Sequence, residues 1–241
     1  DVDATFIRKS DGKGYWKLNN KSMNETWPIT IEGIKFNMKK TSFGHIGIFV
    51  EQKDNWVEIE KLVSMGKSTR EEYKVLNLFP YPGGSTLAAA KAGAKVVHLD
   101  ASKTSNAWAR DNAKLNGLEE APIRWLTDDV KVFVEKEVRR GNKYHGIILD
   151  PPSFGRGSNN QVWKIEEDMT PLLDILNKIM SDDLHFISLS SHSPGYTPIA
   201  LKNLLTNICG DFKGSYTERE MSVPFNGGFL PAGATSLFVR D

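Results

Sequence analysis

A single cysteine, Cys209, among 241 residues excludes an internal disulfide and any metal site built from several thiolates. So few thiols suit a reducing compartment, and a cytoplasmic setting is expected. There is no 18-residue apolar run to read as a membrane helix and no internal repeat, and no stretch of the given sequence reads as a secretory leader, so none is expected. Excess charge of one sign is also missing. Lys+Arg number 31 and Asp+Glu 30, for a net charge of +1, so only local patches can attract a polyanion. No strict G-x-G-x-x-G occurs, which argues against a dinucleotide ligand. The chain opens Asp1-Val-Asp-Ala-Thr-Phe without a methionine, as expected of a fragment lacking an upstream portion. Its length fits one α/β domain with an appendage.

What is present centres on Lys74-Val-Leu-Asn-Leu-Phe-Pro-Tyr-Pro-Gly-Gly-Ser85, an alanine-rich segment, and Val96-Val-His-Leu-Asp100. An apolar run breaks at a Pro/Gly turn, a small-residue helix follows, and a second apolar run ends on a carboxylate. That order is strand, glycine loop, helix, strand: a βαβ nucleotide-binding unit. Gly83 and Gly84 let backbone approach a ligand, and the helix opening near Ser85 aims free N–H groups into the same crevice. Asp100 stands where a carboxylate accepts from ribose hydroxyls.

Residues 1 to about 50 are β-rich, with strands expected at Thr26–Ile31 and Ile34–Met38. Trp56, Ile59 and Val63 share a helical face behind Asp54 as N-cap, and a polar linker over 64–72 places a domain boundary near residue 66. Thereafter strands and helices alternate. A helix over Ser102–Asn116 stops at Gly117, and strand Pro122–Thr127 follows. Asp128-Asp129 opens a helix that Gly141 ends, and strand Tyr144–Asp150 leads to a loop over 153–162. A helix near 170–181, a strand Leu184–Ser190 and a helix Pro198–Cys209 come next, then two strands joined at Asn226-Gly-Gly228. The pattern predicts an α/β fold with a doubly wound, mostly parallel sheet of seven strands, an N-terminal β-rich appendage, and ligands at the strand carboxyl ends.

Three carboxylates end successive strands or their loops: Asp100, Asp128 or Asp129, and Asp150. The second group is either an acceptor for an adenine amino group or a helix N-cap. In Asp150-Pro-Pro-Ser-Phe154 the prolines fix the backbone and leave carbonyls free to accept from a planar amine, and Phe154 offers a stacking face or a core plug. His192 in a Ser-rich turn is a proton acceptor, a target contact or an ordinary loop residue. Arg139, Arg140, Lys143, Lys39, Lys40 and Arg156 are phosphate contacts or solvated charge. Trp16, Trp27 and Phe36 stack on bases or fill a small core. No metal site is expected, because the acids are too dispersed.

The order of motifs resembles the class I S-adenosylmethionine-dependent methyltransferases, specifically the ribosomal RNA large-subunit group. That group carries L-N-x-F-x-Y-T-G-G, an acid followed by Ala-Ser, and D-P-P-x-F. Here stand Leu76-Asn-Leu-Phe-Pro-Tyr-Pro-Gly-Gly84, Asp100-Ala101-Ser102 and Asp150-Pro151-Pro152-Ser153-Phe154. Gly47-Ile-Phe49-Val-Glu51-Gln52 resembles a G-x-F-x-D-Q-R segment that folds over the cofactor, with Glu51 for Asp and Lys53 for Arg as departures. The resemblance implies a Rossmann-like fold, S-adenosylmethionine as cofactor, and RNA as partner. It places Phe49, Gln52, Phe79, Tyr81, Gly83, Gly84, Asp100, Ala101, Ser102, Asp128, Asp129 and Asp150 around the cofactor. Asp150, Pro151, Pro152 and Phe154 would hold the target base. The implied division is 1–66, β-rich with the covering segment, and 67–241, the methyltransferase domain.

Members of that group that methylate cytosine C5 need a cysteine thiolate to add to the ring. Their cysteine lies at or beside the position of Ser190, where this chain has Ser188-Leu-Ser-Ser-His-Ser-Pro-Gly195. Direct transfer to an amino or ring nitrogen is therefore expected, with Asp150 and the Pro151 carbonyl orienting the base. The same fold methylating a protein or a small molecule, or a non-catalytic nucleotide-binding module, are the alternatives.

Overall fold

The computed structural model of the chain describes residues 2–10, 13–157 and 161–241. Two antiparallel hairpins lead: β1 (Ala4–Arg8) with β2 (Gly14–Leu18), and β3 (Thr26–Ile31) with β4 (Ile34–Lys39). A single 3-10 turn, Val50–Gln52, runs into α1 (Lys53–Ser68). Then come β5 (Lys74–Leu78), α2 (Gly84–Lys91), β6 (Lys95–Asp100), α3 (Lys103–Leu115), β7 (Ile123–Thr127), α4 (Val130–Arg140) and β8 (Gly146–Leu149). A small hairpin of β9 (Phe154–Arg156) and β10 (Val162–Lys164) precedes α5 (Ile165–Asn177), β11 (Phe186–Ser191), α6 (Pro198–Cys209), β12 (Gly214–Phe225) and β13 (Gly228–Arg240).

The seven-stranded sheet has the order β12-β13-β11-β8-β5-β6-β7, as the alternation predicts. Strands β11, β8, β5, β6 and β7 are parallel, and β13 and β12 add antiparallel edges. From β5 the chain winds outward through β6 and β7, then returns to β8 on the other flank. The direction of winding thus reverses between β5 and β8, and the crevice opens at their carboxyl ends. Alternate strand residues feed two cores. Leu76, Leu78, Ile147, Leu149, Ile187 and Leu189 pack under α4, α5 and α6. Val75, Val96, Ile148 and Phe186 pack under α1 and α2.

Hairpin β3–β4 belongs to that second core. Ile34, Phe36 and Met38 are buried against Trp56 and Ile59 of α1, and the Phe36 and Trp56 rings lie 5.0 Å apart. Side-chain amides of α3 and its C-cap complete the hairpin's exposed edge: Asn112 and Asn116 accept from the N–H groups of Asn37 and Lys35, both at 2.8 Å. Phe36 and half-buried Trp27 therefore pack rather than stack on bases, and Trp16 donates to the Thr41 carbonyl.

Several expectations are corrected. Asp54 does not cap α1: Gln52 occupies the N-cap, and Asp54 is an acid of the first turn paired with Lys53. Residue 66 falls inside α1. The helix expected at 170–181 begins at Ile165, carries Pro171 internally and ends at Asn177. The loop expected over 153–162 contains β9 and the first residue of β10, and its residues 158–160 lie outside those described.

Candidate active site

The glycine loop after β5 is held in an uncommon backbone. Phe79 and Tyr81 both have positive φ, 59° and 42°, a costly choice for bulky residues that clusters at functional sites. Gly83 (φ 95°) forms the N-cap of α2. A Cβ on Gly84 would stand 2.5 Å from the Trp56 ring, so the start of α2 sits tight on α1. Tyr81 is wedged between Phe49 at 5.3 Å and Trp108 at 6.0 Å. Its buried hydroxyl has no hydrogen-bond partner among the described residues, a polar atom that a ligand would satisfy.

Beside that loop a cavity of about 500 Å³ is lined by Phe49, Phe79, Tyr81, Asp100, Ala101, Ser102, Asp128, Asp129, Asp150, Pro151 and Pro152, with His45, Trp163 and His192 among others. A side lobe of about 30 Å³ adds Gln52, Gly84 and Ser85, and shares Phe49, Phe79, Tyr81 and Asp150. Of the residues expected at the site, Gly83 lines neither space and supports the loop from behind. Phe154 stands outside on the rim, 53% exposed, so it is not a core plug.

Each carboxylate has a distinct environment. Asp100 accepts from the Ser102 N–H at 2.8 Å and the Tyr81 N–H at 3.2 Å, and keeps free lone pairs on both oxygens. Burial raises its pKa, against those two backbone donors. Asp129 is the N-cap of α4, with one oxygen taking the N–H groups of Lys131 and Val132, both at 3.0 Å. Asp128 pairs with Lys136 at 2.7 Å. The cap and the cavity-facing carboxylate are thus one residue: capping takes Oδ1 of Asp129, and Oδ2 remains for a ligand.

Asp150 is the centre of a network absent from the sequence reading. Its Oδ2 accepts from Gln52 Nε2 at 2.9 Å and its Oδ1 from Ser190 Oγ at 2.8 Å. Gln52 accepts in turn from Asn55 at 2.6 Å, and Asn55 from Arg219 of β12. His192 Nδ1 lies 3.4 Å from Asp150 Oδ1, and its Nε2 lies 3.0 Å from Glu51. Burial opposes the charged ring, but these two carboxylates outweigh it and carry the pKa to about 10. His192 is therefore an imidazolium at neutral pH, clamping the 3-10 turn onto the end of β8, and not a ready proton acceptor.

A pH dependence follows. The folded pKa, about 10, exceeds the ordinary 6.5, so the clamp's stabilisation is complete below pH 6.5 and disappears as pH rises through 10. Urea denaturation across that window should show wild type losing stability that His192→Gln does not lose. Parallel curves for the two proteins would refute the clamp.

The Pro-Pro turn divides its carbonyls. That of Pro152 accepts from Trp163 Nε1 at 2.7 Å, so it anchors the β9–β10 hairpin and is not available to a target. That of Pro151 has no protein partner among the described residues. Trp163 and His45 also line the cavity, and Glu51 and Ser190 join the network; no local pattern in the sequence marks these four. Arg140 and Lys143 lie at the opposite end of the sheet, tied to Glu137 and the Lys178 carbonyl.

A crevice at the switch point of a parallel sheet, with an acid ending the second strand and a D-P-P-x-F turn ending the fourth, defines a nucleoside-binding transferase fold. The family model for S-adenosylmethionine-dependent methyltransferases matches residues 8–181, and the chain belongs to that family. Its relatives include ribosomal RNA large subunit methyltransferase I of Aeromonas salmonicida, 36% identical over 54% of this chain and 32% of that protein. Ribosomal RNA large subunit methyltransferase K/L of Shewanella baltica is 30% identical over 75% of this chain and 24% of that protein. The chain thus spans a third or less of these curated relatives. Among solved structures, the SAM-dependent methyltransferase of Agrobacterium tumefaciens aligns with a TM-score of 0.91 at 34% identity, covering 99% of this chain and 77% of that one. SMU.776, solved in complex with SAH, shares the fold at a TM-score of 0.74 and 24% identity, covering 92% of this chain and 58% of its own.

Proposed function

We propose that this protein transfers a methyl group from S-adenosylmethionine to a nitrogen of a base in large-subunit ribosomal RNA, without a covalent enzyme adduct, in the cytoplasm. The observation that carries the reading is a single cavity bounded by Asp100 on one side and the Asp150-Pro151 turn on the other. The relatives' names supply the RNA target. A functional division at residue 66, which passes through α1, gives 1–66 the covering role and 67–241 the transfer role.

The residues fit an adenosyl ligand. Asp100 has lone pairs for two ribose hydroxyls, and the Ala101-Ser102 turn keeps that carboxylate aimed inward. Asp129 Oδ2, with Asp128 behind it, meets an adenine amino group. Gly83 and Gly84 hold the loop close, Phe79 and Tyr81 flank the ligand, and Phe49 and Gln52 close over it. Bound S-adenosylmethionine supplies an electrophilic methyl group on a sulfonium. Asp150 and the Pro151 carbonyl accept from a base amino group and aim its lone pair. Phe154 stacks at the rim.

Cys209 cannot serve as a nucleophile. It is fully buried in α6, and burial pushes its thiol up to about 12. Ser190, at the position where a nucleophilic cysteine would stand, is committed to Asp150. Calorimetric titration with S-adenosylmethionine, with NAD as control, and transfer of labelled methyl to ribosomal RNA test the proposal. Cys209→Ala should leave transfer unchanged, whereas a large loss would overturn the non-covalent route. Binding without transfer to RNA would redirect the search to a protein or small-molecule target, and no binding would refute the enzyme reading.

A further inference from the structure

Strands β12 and β13 outrun the sheet. Strand β11 ends with Ser191 paired to Ala234, yet β12 and β13 continue pairing from Met221↔Gly233 to Phe225↔Gly228. The five further residues carry this finger about 15 Å beyond the carboxyl edge of the sheet, the edge on which the candidate active site opens. A register shift between Met221 and Ser222 starts it. Gly233 fixes its root: φ is 145°, and a Cβ there would stand 2.8 Å from the Ser191 carbonyl and 3.2 Å from the His192 ring. The finger therefore springs directly from the clamp on Asp150.

Its composition is unusual for an exposed tip. Phe225, Phe229 and Leu230 are 65%, 75% and 57% exposed, and no charged residue occurs from 221 to 239. Large apolar side chains held in water are costly unless something covers them. Facing the mouth from the β9–β10 hairpin, Phe154 is also exposed, with the Arg156 guanidinium 5.8 Å above its ring. Arg156 lines the cavity and makes no ion pair among the described residues.

We infer that the β12–β13 finger is a stacking wedge for unpaired RNA: the pairs Pro224↔Phe229 and Phe225↔Gly228 set Phe225 and Phe229 on opposite faces of its tip, one for each base flanking the gap left when the target nucleotide enters the cavity beside Phe154 and Arg156. The inference rests on the RNA reading above and narrows it: the substrate is a single-stranded loop or bulge, not a continuous duplex. Three observations favour that occupant over a second copy of the chain. The finger is rooted in the active-site clamp. The β9–β10 hairpin pairs an aromatic face, Phe154, with a cation, Arg156, that makes no ion pair among the described residues, which suits a base and its phosphate. Bulky apolar tips without charge are what unstacking requires, since they replace a base–base contact.

The test compares wild type, Phe225→Ser/Phe229→Ser and Phe225→Trp/Phe229→Trp, using a fluorescent single-stranded RNA oligonucleotide, a fully paired RNA duplex and SAH. Expected are a preference of wild type for the single strand, a loss of roughly tenfold or more in the serine variant, retention in the tryptophan variant, and unchanged SAH affinity in all three. Single-strand affinity unchanged in the serine variant would overturn the wedge while leaving the RNA reading standing. Wild type that binds SAH but no RNA, and self-associates through a contact the serine variant abolishes, would assign the finger to a second copy. Wild type that binds SAH and neither RNA nor itself would overturn wedge and RNA reading together.

Discussion

Replacing Asp150 by alanine is expected to lower methyl transfer by about a hundredfold or more, the range for losing a positioned acceptor at a reacting group. Three donors converge on this carboxylate, from Gln52, Ser190 and His192, so its oxygens are fixed before any target arrives. Truncation removes one partner from each donor, while Gln52 Nε2 keeps Ser190 Oγ and His192 Nε2 keeps Glu51, both at 3.0 Å, so stability falls by about 0.5–1.5 kcal/mol per lost bond. Asparagine is no rescue, because its amide would turn N–H groups toward N–H or O–H donors. Single-turnover methylation of RNA, alongside SAH calorimetry, separates the effects. Transfer should fall far more than cofactor affinity. Equal transfer in Asp150→Ala would remove this residue from the chemistry.

Asp100→Ala should weaken S-adenosylmethionine binding by roughly 1–3 kcal/mol, tenfold to over a hundredfold, through lost charge-assisted hydrogen bonds. Asp100 also joins the glycine loop to the turn before α3 through its bonds from Tyr81 and Ser102, so the variant loosens the strained loop as well. Acid should mimic it. Burial raises this group above the ordinary 3.8, so cofactor affinity should fall with decreasing pH earlier than for an exposed carboxylate. Calorimetry of wild type and variant from neutral to mildly acid pH reads both effects. Unchanged affinity in Asp100→Ala would mean the ribose assignment is wrong.

The sheet was legible because its central strands are buried on both faces, and so read as short apolar runs ending in Asp or a Gly/Pro turn. Gly117 and Gly141, both at positive φ, marked helix ends for the same local reason. Where chemistry depends on one segment, as in Asp100-Ala-Ser or the Pro-Pro turn, the sequence sufficed. It failed where long-range contacts decide. Glu51, Gln52, Ser190 and His192 come from two segments 138 residues or more apart, and nothing local in either announces the clamp. The β9–β10 hairpin hid behind Gly, Ser and Asn. The early start of α5 hid because Pro171 looks like a first helical residue, whereas Glu166, Glu167 and Asp168 already favour the amino end of a helix.

The burial of β4 bears on how the chain can be divided. Ile34, Phe36 and Met38 form one hydrophobic body with Trp56, Ile59 and the sheet, and Asn112 and Asn116 hold the backbone of β4 from the far side of the glycine loop. Detaching residues 26–39 would strip one face of α1 and leave α3 with unpaired amides. The covering region and the transfer domain are thus a division of labour and not of folding. They should melt together in one cooperative transition, and a protease able to cut the β3–β4 hairpin would have to wait for global unfolding.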